Sequence, residues 1–522
     1  MPLPPKDTPW PPIAPRVRCA LEDWAAWYSA DPDQIAARYL NRPVFSGRPG
    51  QAPQNRPSQY RGGLVGALAR MFWGEPTPLG EKRTKLHVPL ASDIARTSAD
   101  LLFSEPPTLA VDSADTQERL EQILTGGLRR TLLTGGELAA ALGGSYLRLV
   151  WDAEVTPGPW ITAVGADGAI PDLRNGRLAG ATFWRVLGCD GPKVVRFLER
   201  HEKGAILHGV YEGTEDNLGR PIDLGAFPET KTLNAVEEFD IGPRLTVALV
   251  PNTMTARSWR DVPGTLGLGE SDYQGSETLL DALDETMTAW MRDVRLAKAR
   301  LTVPEGYLRA NGPGRGVSWE DREVFVPLNV PPTEGNASGL TLHQAEIRFA
   351  EHKATAEELA ARIIRNAGYS SGTFGDDSDG PAATATEIKA RQARSMSTRA
   401  RKAELWAVGI ADIVEAQLAL EATRFPGVAG VEVERPAVQF KDSVQDDIKT
   451  LAETAALLRQ AEAASTATLV ALVNPGMDAD DQAAEVQRIL AESGRAVADP
   501  VTAGRGDDDA GPAEPEDGAP EE

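Results

Sequence analysis

Three aspartates ahead of a glycine, Asp376, Asp377 and Asp379 before Gly380, are residue types that can hold calcium. A helix–loop–helix calcium site would need an acid where Gly375 stands and a glutamate where Thr386 stands. Neither is present, so the aspartates are expected to solvate a loop. The histidines His87, His201, His208, His343 and His352 are scattered, and neither H-E-x-x-H nor C-x-x-C occurs, so no zinc site is assigned. Without a Gly-Lys dipeptide there is no G-x-x-x-x-G-K-[ST] phosphate loop. The run Gly312-Pro313-Gly314-Arg315-Gly316 lacks dinucleotide-loop spacing and reads as a surface turn. Carboxylates are plentiful, yet their spacing nominates no catalytic pair. The expectation is a protein that is not an enzyme, with no metal and no cofactor.

A different chemistry gathers at Lys389, Arg391, Arg394, Arg399, Arg401 and Lys402. On a helical wheel all but Lys389 share one broad face. Two readings fit: a solvated or inter-subunit ion-pairing face, or a face turned to a nucleic-acid phosphate backbone. No aromatic residues interleave, so stacking on single-stranded bases is not supported. The whole chain is acidic, with 54 Lys and Arg against 76 Asp and Glu and a net charge of −22. That balance opposes tight non-specific DNA binding, which runs on counterion release. It does not oppose a surface past which DNA must slide.

The elements that must position these residues follow from periodicity. At 522 residues the chain has room for several units. Cys19 and Cys189 stand far apart, which excludes a disulfide framework and fits a reducing compartment. The start, Met1 to Pro5, lacks the features of a signal peptide, and no apolar run is long enough to span a bilayer. Helices are expected near residues 20–30, up to Phe103 after an extended start at Lys85, and from Thr116 to Leu133. From about Gly144 to Val250, runs such as Tyr146–Trp151, Ala181–Leu187, Val194–Glu199 and Ala205–Tyr211 alternate with Asn/Gly turns. They predict antiparallel strands, with no β-α-β order.

Ser271 and Gln274 suggest a capping box ahead of a helix from Ser276 to Arg300, with Leu279, Leu283, Met287, Trp290 and Val294 on one stripe and Met291 beside it. Residues 301 to about 350 read as strand and loop, with candidates at Val324–Leu328 and Glu346–Phe349. A helix Ala354–Asn366 then ends at Gly368. After a loop containing Gly372, Thr373, Phe374 and Gly375, a helix of roughly 36 residues starts near a second capping box at Thr384. Its expected buried stripe is Met396, Ala400, Ala403, Ala407, Ile410, Val414 and Leu418. A strand-like stretch, Val431–Phe440, and two helices, 446–465 and 478–492, complete the ordered part. The end is Gly/Ala/Pro/acid and is expected to be disordered; Asp507 to Glu522 carry eight acids and no base.

Four stretches in this order resemble portal proteins of tailed bacteriophages, of the siphophage type infecting actinobacteria. The first is Lys85-Leu86-His87-Val88-Pro89-Leu90-Ala91-Ser92-Asp93-Ile94-Ala95 through Leu101-Leu102-Phe103-Ser104-Glu105-Pro106-Pro107. Next comes Leu279-Leu280-Asp281-Ala282-Leu283-Asp284-Glu285 with Trp290-Met291-Arg292-Asp293-Val294-Arg295. The third is Ala367-Gly368-Tyr369-Ser370 with Thr373-Phe374-Gly375, and the last Ala385-Thr386-Glu387-Ile388 with the basic helix after it. The likeness covers roughly residues 60–495, so the Pro-rich start and acidic tail inherit nothing.

The resemblance implies an α+β portal fold in a dodecameric ring at one capsid vertex, with double-stranded DNA passing through the axis. It implies an N-terminal arm at 1–60, a wing at 61–270, stem helices at 271–300 and 353–368, and a clip at 301–352. A tunnel loop at 369–384 would include Gly372, Thr373, Phe374, Gly375, Asp376, Asp377, Asp379 and Gly380. A long wing helix and strand would occupy 385–445 and a crown 446–495, with the acidic tail at 496–522. Implied partners are further copies, the terminase large subunit, a head–tail adaptor, and major capsid and scaffold proteins, with no membrane. The implied location is the virion, after assembly in the host cytoplasm. Leu279, Leu283, Met287, Trp290, Met291 and Val294 would serve stem packing between neighbours, and the basic residues from Lys389 to Lys402 would be channel candidates. Two other classes remain open: another virion component, such as a capsid or tail-hub protein, and a nucleic-acid enzyme.

Overall fold

The computed structural model describes residues 3–39, 86–253, 256–297, 347–375, 385–425, 431–440 and most of 448–492. Between 300 and 343 it describes only short strands. Two compact units are present, Met1–Lys441 and Asp442–Glu522.

In the first unit, helices α1 (Pro15–Tyr28) and α2 (Pro32–Tyr39) follow an extended arm. Proline opens α1 where a missing N–H costs nothing. The helix buries Val17, Leu21, Trp24 and Trp27. Helix α3 (Leu90–Phe103) buries Ile94, Ala95, Ala99 and Leu102, whereas Leu101 is only half-buried. The helix expected over 116–133 is instead two, α4 (Ala114–Ile123) and α5 (Arg129–Leu142). Gly127, at φ 142°, breaks the pattern between them.

Strands β2 (Gly144–Val150), β3 (Trp160–Gly165) and β10 (Val247–Pro251) form an antiparallel sheet in the order β10-β2-β3. Against it pack α5 and the long helix α8 (Ala385–Arg424), around Leu147, Leu149, Val250, Trp406, Ile410 and Val414. A second sheet is a meander of β4 (Ala169–Arg174), β5 (Arg177–Asp190), β6 (Lys193–Glu202), β7 (Ala205–Thr214) and β8 (Asn217–Ile222). The short β9 (Val236–Glu238) pairs with β7. The β4–β5 turn is Asn175-Gly176, with φ of 51° and 80°, the left-handed geometry a tight hairpin needs. The arm covers the β8 edge. Pro9 bridges Asn217, and Trp10 is buried with Leu198, Tyr211 and Leu218. Covering an edge in this way removes a template for unwanted strand pairing.

Inside the meander, His201 is buried with its Nε2–H donating to Glu199 at 2.7 Å and its Nδ1 accepting from Thr246 Oγ1 at 2.7 Å. Burial opposes ionisation of Glu199, but the His201 hydrogen bond and the charges of His201 and Arg148 outweigh it and hold the carboxyl at about 2. Burial draws His201 below its usual range, against the pull of Glu199. A depressed histidine removes stability as pH falls below about 6.5, where the unfolded chain takes the proton first. A depressed carboxyl gives stability that is present above about 4.3 and lost as pH falls toward the folded value. Both act in one direction. The thermal midpoint is expected to drop as pH falls from 7 to 3, and Glu199→Gln to flatten the part below pH 5, as calorimetry across that range would read.

Helices α6 (Glu277–Leu296) and α7 (Phe349–Asn366) form an antiparallel pair, because the end of each meets the start of the other. Asp293 accepts from Arg348 and His352, both at 2.9 Å, and Asn366 donates to Ser276 Oγ at 3.4 Å. Between them in sequence lie β11 (Arg300–Pro304), β14 (Phe325–Leu328) and β15 (Thr341–His343) in one sheet, with β12 (Arg309–Ala310) paired to β13 (Val317–Ser318). Two boundaries differ from the sequence expectation: Arg300 opens a strand rather than closing a helix, and Phe349 starts α7 rather than ending a strand. Helix α6 starts at Glu277, one residue after the expected Ser276. The capping box does not form: Ser271 Oγ accepts from Tyr273 N at 3.4 Å and donates to Ala140 O at 3.2 Å, closing a turn ahead of α6. Gln274 Oε1 accepts from Trp24 Nε1 at 2.9 Å and its Nε2 donates to Ser258 Oγ at 2.9 Å, so tertiary partners hold the side chain that would complete the motif.

The strand-like stretch near 431–440 resolves to β16 (Ala437–Gln439), paired with β1 (Thr108–Ala110). The second unit contains α9 (Ile448–Gln460), α10 (Thr466–Val473) and α11 (Ala479–Glu492). The sequence suggests only the outer two; α10 is capped by the Ser465 side chain, which accepts from Thr468 N at 3.2 Å. Among the described residues no helix is long and apolar enough to cross a membrane. Residues 40–85 and the acidic tail fall outside the described residues.

Candidate functional site

The basic residues lie on α8, which is 40 residues and about 60 Å long. Lys389 and Arg391 belong to its first turns, and their side chains are outside the described residues. Arg394 and Arg401 are exposed. Arg399 and Lys402 are not. Arg399 is 7 % exposed and donates from Nε to Leu101 O at 2.6 Å. Lys402 is 4 % exposed, with Nζ 2.6 and 2.8 Å from the Asp272 carboxylate oxygens and 2.7 Å from Ser98 Oγ. The shared basic face expected from the helical wheel is therefore divided. Two of its members are turned into the protein and held there, and neither can serve a phosphate in this arrangement.

Burial lowers the Lys402 ammonium from its usual range, while Asp272 pulls it back up. The Tyr369 hydroxyl donates to Asp272 at 2.9 Å and accepts from Lys402 at 3.0 Å, and burial raises that phenol well above its ordinary range. Asn252 Nδ2 donates to Asp272 at 2.7 Å. The sequence reading missed Ser98, Asn252, Asp272 and Tyr369. One signal was available. Ser395, Thr398, Lys402, Trp406 and Ile410 recur at helical spacing and all are buried, so this is the stripe that faces inward. Of the expected stripe, Ala403, Ile410, Val414 and Leu418 are buried, Met396 and Ala407 half-buried, and Ala400 exposed.

The segment read as a loop begins as a 3₁₀ turn, Ser371–Phe374, closed by Gly375 at φ 80°. It is tied to α8. Ser370 N donates to Ser395 Oγ at 2.9 Å, and Thr373 Oγ1 lies 2.7 Å from the same oxygen. Thr398 Oγ1 donates to Gly368 O at 2.7 Å, and Gly368 sits at φ 92° where a Cβ would meet that same hydroxyl. Phe374 packs edge-on to Tyr369 at 6.2 Å, and Gly372 lies within the turn. Asp376, Asp377, Asp379 and Gly380 lie outside the described residues. Among the described residues no group of three or more His, Cys, Asp or Glu is placed to hold a metal.

On α6, Leu283 is buried and Leu279 and Met287 pack against the same core. Trp290 is half-buried, stacked on His352 at 6.3 Å and edge-on to Phe349 at 5.4 Å. Met291 and Val294 are 39 % and 38 % exposed, and Phe349 is 55 % exposed, so the end of the pair remote from Asp272 shows an apolar surface. The Asp293 carboxyl is held below its ordinary range, chiefly by the His352 hydrogen bond and then by Arg348.

No protein-family model matches the chain, and no curated protein matches it. Among solved structures it is similar to one described as the neck of a native GTA particle computed with C12 symmetry, at 12 % identity and a TM-score of 0.36. That match covers 80 % of this chain and 99 % of the other.

Proposed function

We propose that this chain is a portal-type subunit of a tailed-phage particle, ringed around an axial channel that conducts double-stranded DNA. The observation that carries the reading is the chain order. An antiparallel helix pair, α6 and α7, brackets a group of short strands and leads through a pinned turn into a 40-residue helix. Those elements fall on the stretches that resemble portal proteins. In this reading α6 and α7 are the stem, the strands from 300 to 343 the clip that meets terminase and then the head–tail adaptor, and the β meander part of the wing. The helices of 448–492 are the crown. Exposed Met291 and Val294 supply the lateral apolar contact that a ring needs, and they leave a lone subunit with greasy surface to cover.

The test is negative-stain microscopy together with solution mass. Rings with a central hole, near twelve times the 55.9 kDa chain mass, are the expected result. A monomer that stays monomeric even with its capsid and scaffold proteins would overturn the reading in favour of another virion component. Within rings, Lys389, Arg391, Arg394 and Arg401 are the basic candidates left to meet DNA. Changing all four to Ala is expected to lower packaged DNA with ring yield unchanged, and equal packaging would remove the DNA role from this helix.

A further inference from the structure

We infer that Lys402 and Asp272 form a register lock, a buried pair that fixes which turn of the long helix faces the root of the α6–α7 pair. Lys402 Nζ meets acceptors from three segments: Ser98 on α3, Asp272 ahead of α6, and Tyr369 just beyond α7. These lie 304, 130 and 33 residues away in sequence. Asp272 in turn gathers Asn252 and Tyr369. One turn earlier on α8, Thr398 holds Gly368 O, and one turn before that Ser395 holds Ser370 and Thr373. The polar side chains thus form a ladder along one helix face, each rung meeting the chain that leaves α7.

The apolar residues beside the ladder fix this register only in part. Trp406 fits one place, edge-on to Phe103, but Ala403, Ala407 and Ala411 offer nearly the same small surface at successive turns. A shift by one turn, about 5.4 Å, would keep the alanine packing, but it would move Trp406 off Phe103 and leave a buried ammonium and a buried carboxylate unpaired. Together with Trp406, a fully satisfied buried network therefore selects one arrangement among several of similar alanine packing. Buried ion pairs compared with apolar residues of equal volume often add no net stability, and fixing register is their best-attested use. The inference does not depend on the portal reading. If that reading holds, the lock makes α6, α7 and the turn Ser371–Phe374 move with the long helix as one body.

The experiment compares the full-length chain with the double variant Lys402→Met, Asp272→Leu, by thermal midpoint and by amide hydrogen exchange followed by mass spectrometry. Expected is a midpoint equal to or above that of the unaltered protein, with exchange over residues 368–374 at least tenfold faster and the β5–β7 meander unchanged. Unchanged exchange over 368–374 would overturn the inference, because register would then survive without the pair. A lower midpoint with faster exchange throughout, or failure to fold, would overturn it equally, by making the pair an ordinary source of stability. The single variant Ser395→Ala, which keeps the charges, is expected to speed exchange at Ser370 and Thr373 alone. The same acceleration spreading to α3 would also count against the lock.

Discussion

Lys402→Met alone is expected to destabilise the Met1–Lys441 unit by about 3–5 kcal/mol, since it strands one half of a buried ion pair. The methionine fills a similar volume, so little of the effect comes from packing. The cost lies in Asp272, which is 8 % exposed and would keep only the Asn252 and Tyr369 donors. Tyr369→Phe leaves both charges in place and removes one hydroxyl, so a loss nearer 1–2 kcal/mol is expected. Adding Asp272→Asn to Lys402→Met is expected to recover part of the loss, because the unpaired charge goes while the amide can still meet Tyr369. Denaturant unfolding of the three variants gives the order directly. If Lys402→Met cost no more than Tyr369→Phe, the ammonium would have to be reaching water, and the buried geometry described above would be wrong.

The same residue explains where sequence reasoning stopped. Periodicity located α3, the β meander, α7 and the long helix, whose second half buries the announced Ala403, Ile410, Val414 and Leu418, while its first half turns Ser395, Thr398 and Lys402 inward instead of Met396 and Ala400. Asn175-Gly176 and Gly368 marked a hairpin and a helix end for reasons local to the backbone. What a wheel cannot show is whether a polar side chain points to solvent or to a buried partner. Arg399 and Lys402 look like a solvated face until Leu101, Ser98 and Asp272 are brought to them from far along the chain. The capping box ahead of α6 fails for the same cause. Ser271 and Gln274 satisfy the local pattern, but Trp24 and Ser258 hold Gln274, and the Ser271 hydroxyl closes a turn to Tyr273 N while donating to Ala140 O. On α6 the error would have run the other way, since Met291 and Val294 lie on or beside the apolar stripe yet remain exposed in the single chain.

Trp406→Ala is expected to cost about as much as Lys402→Met, for a different physical reason. Trp406 is 1 % exposed and meets Phe103 edge-on at 4.9 Å. A Cβ at Gly135 would lie 3.0 Å from the indole, so α5 approaches here only because glycine leaves room. Removing the indole opens a cavity where α3, α5, α8 and the β2 sheet converge, and close-packed helices of this kind relax only in part. Aromatic-to-alanine changes in such places cost about 3–5 kcal/mol. Trp406→Phe should recover much of that, and Gly135→Ala should destabilise by about 1–3 kcal/mol through crowding. Combining Gly135→Ala with Trp406→Phe then separates two accounts of the junction. If shape at this contact decides, the pair is less damaging than the sum of its parts, since the smaller ring gives the new methyl room. Additive losses would mean that the two residues do not share a packing site. Lys402 stands one helical turn from Trp406, so the ion pair and this aromatic joint hold adjacent turns of one helix, the first through charge and the second through shape.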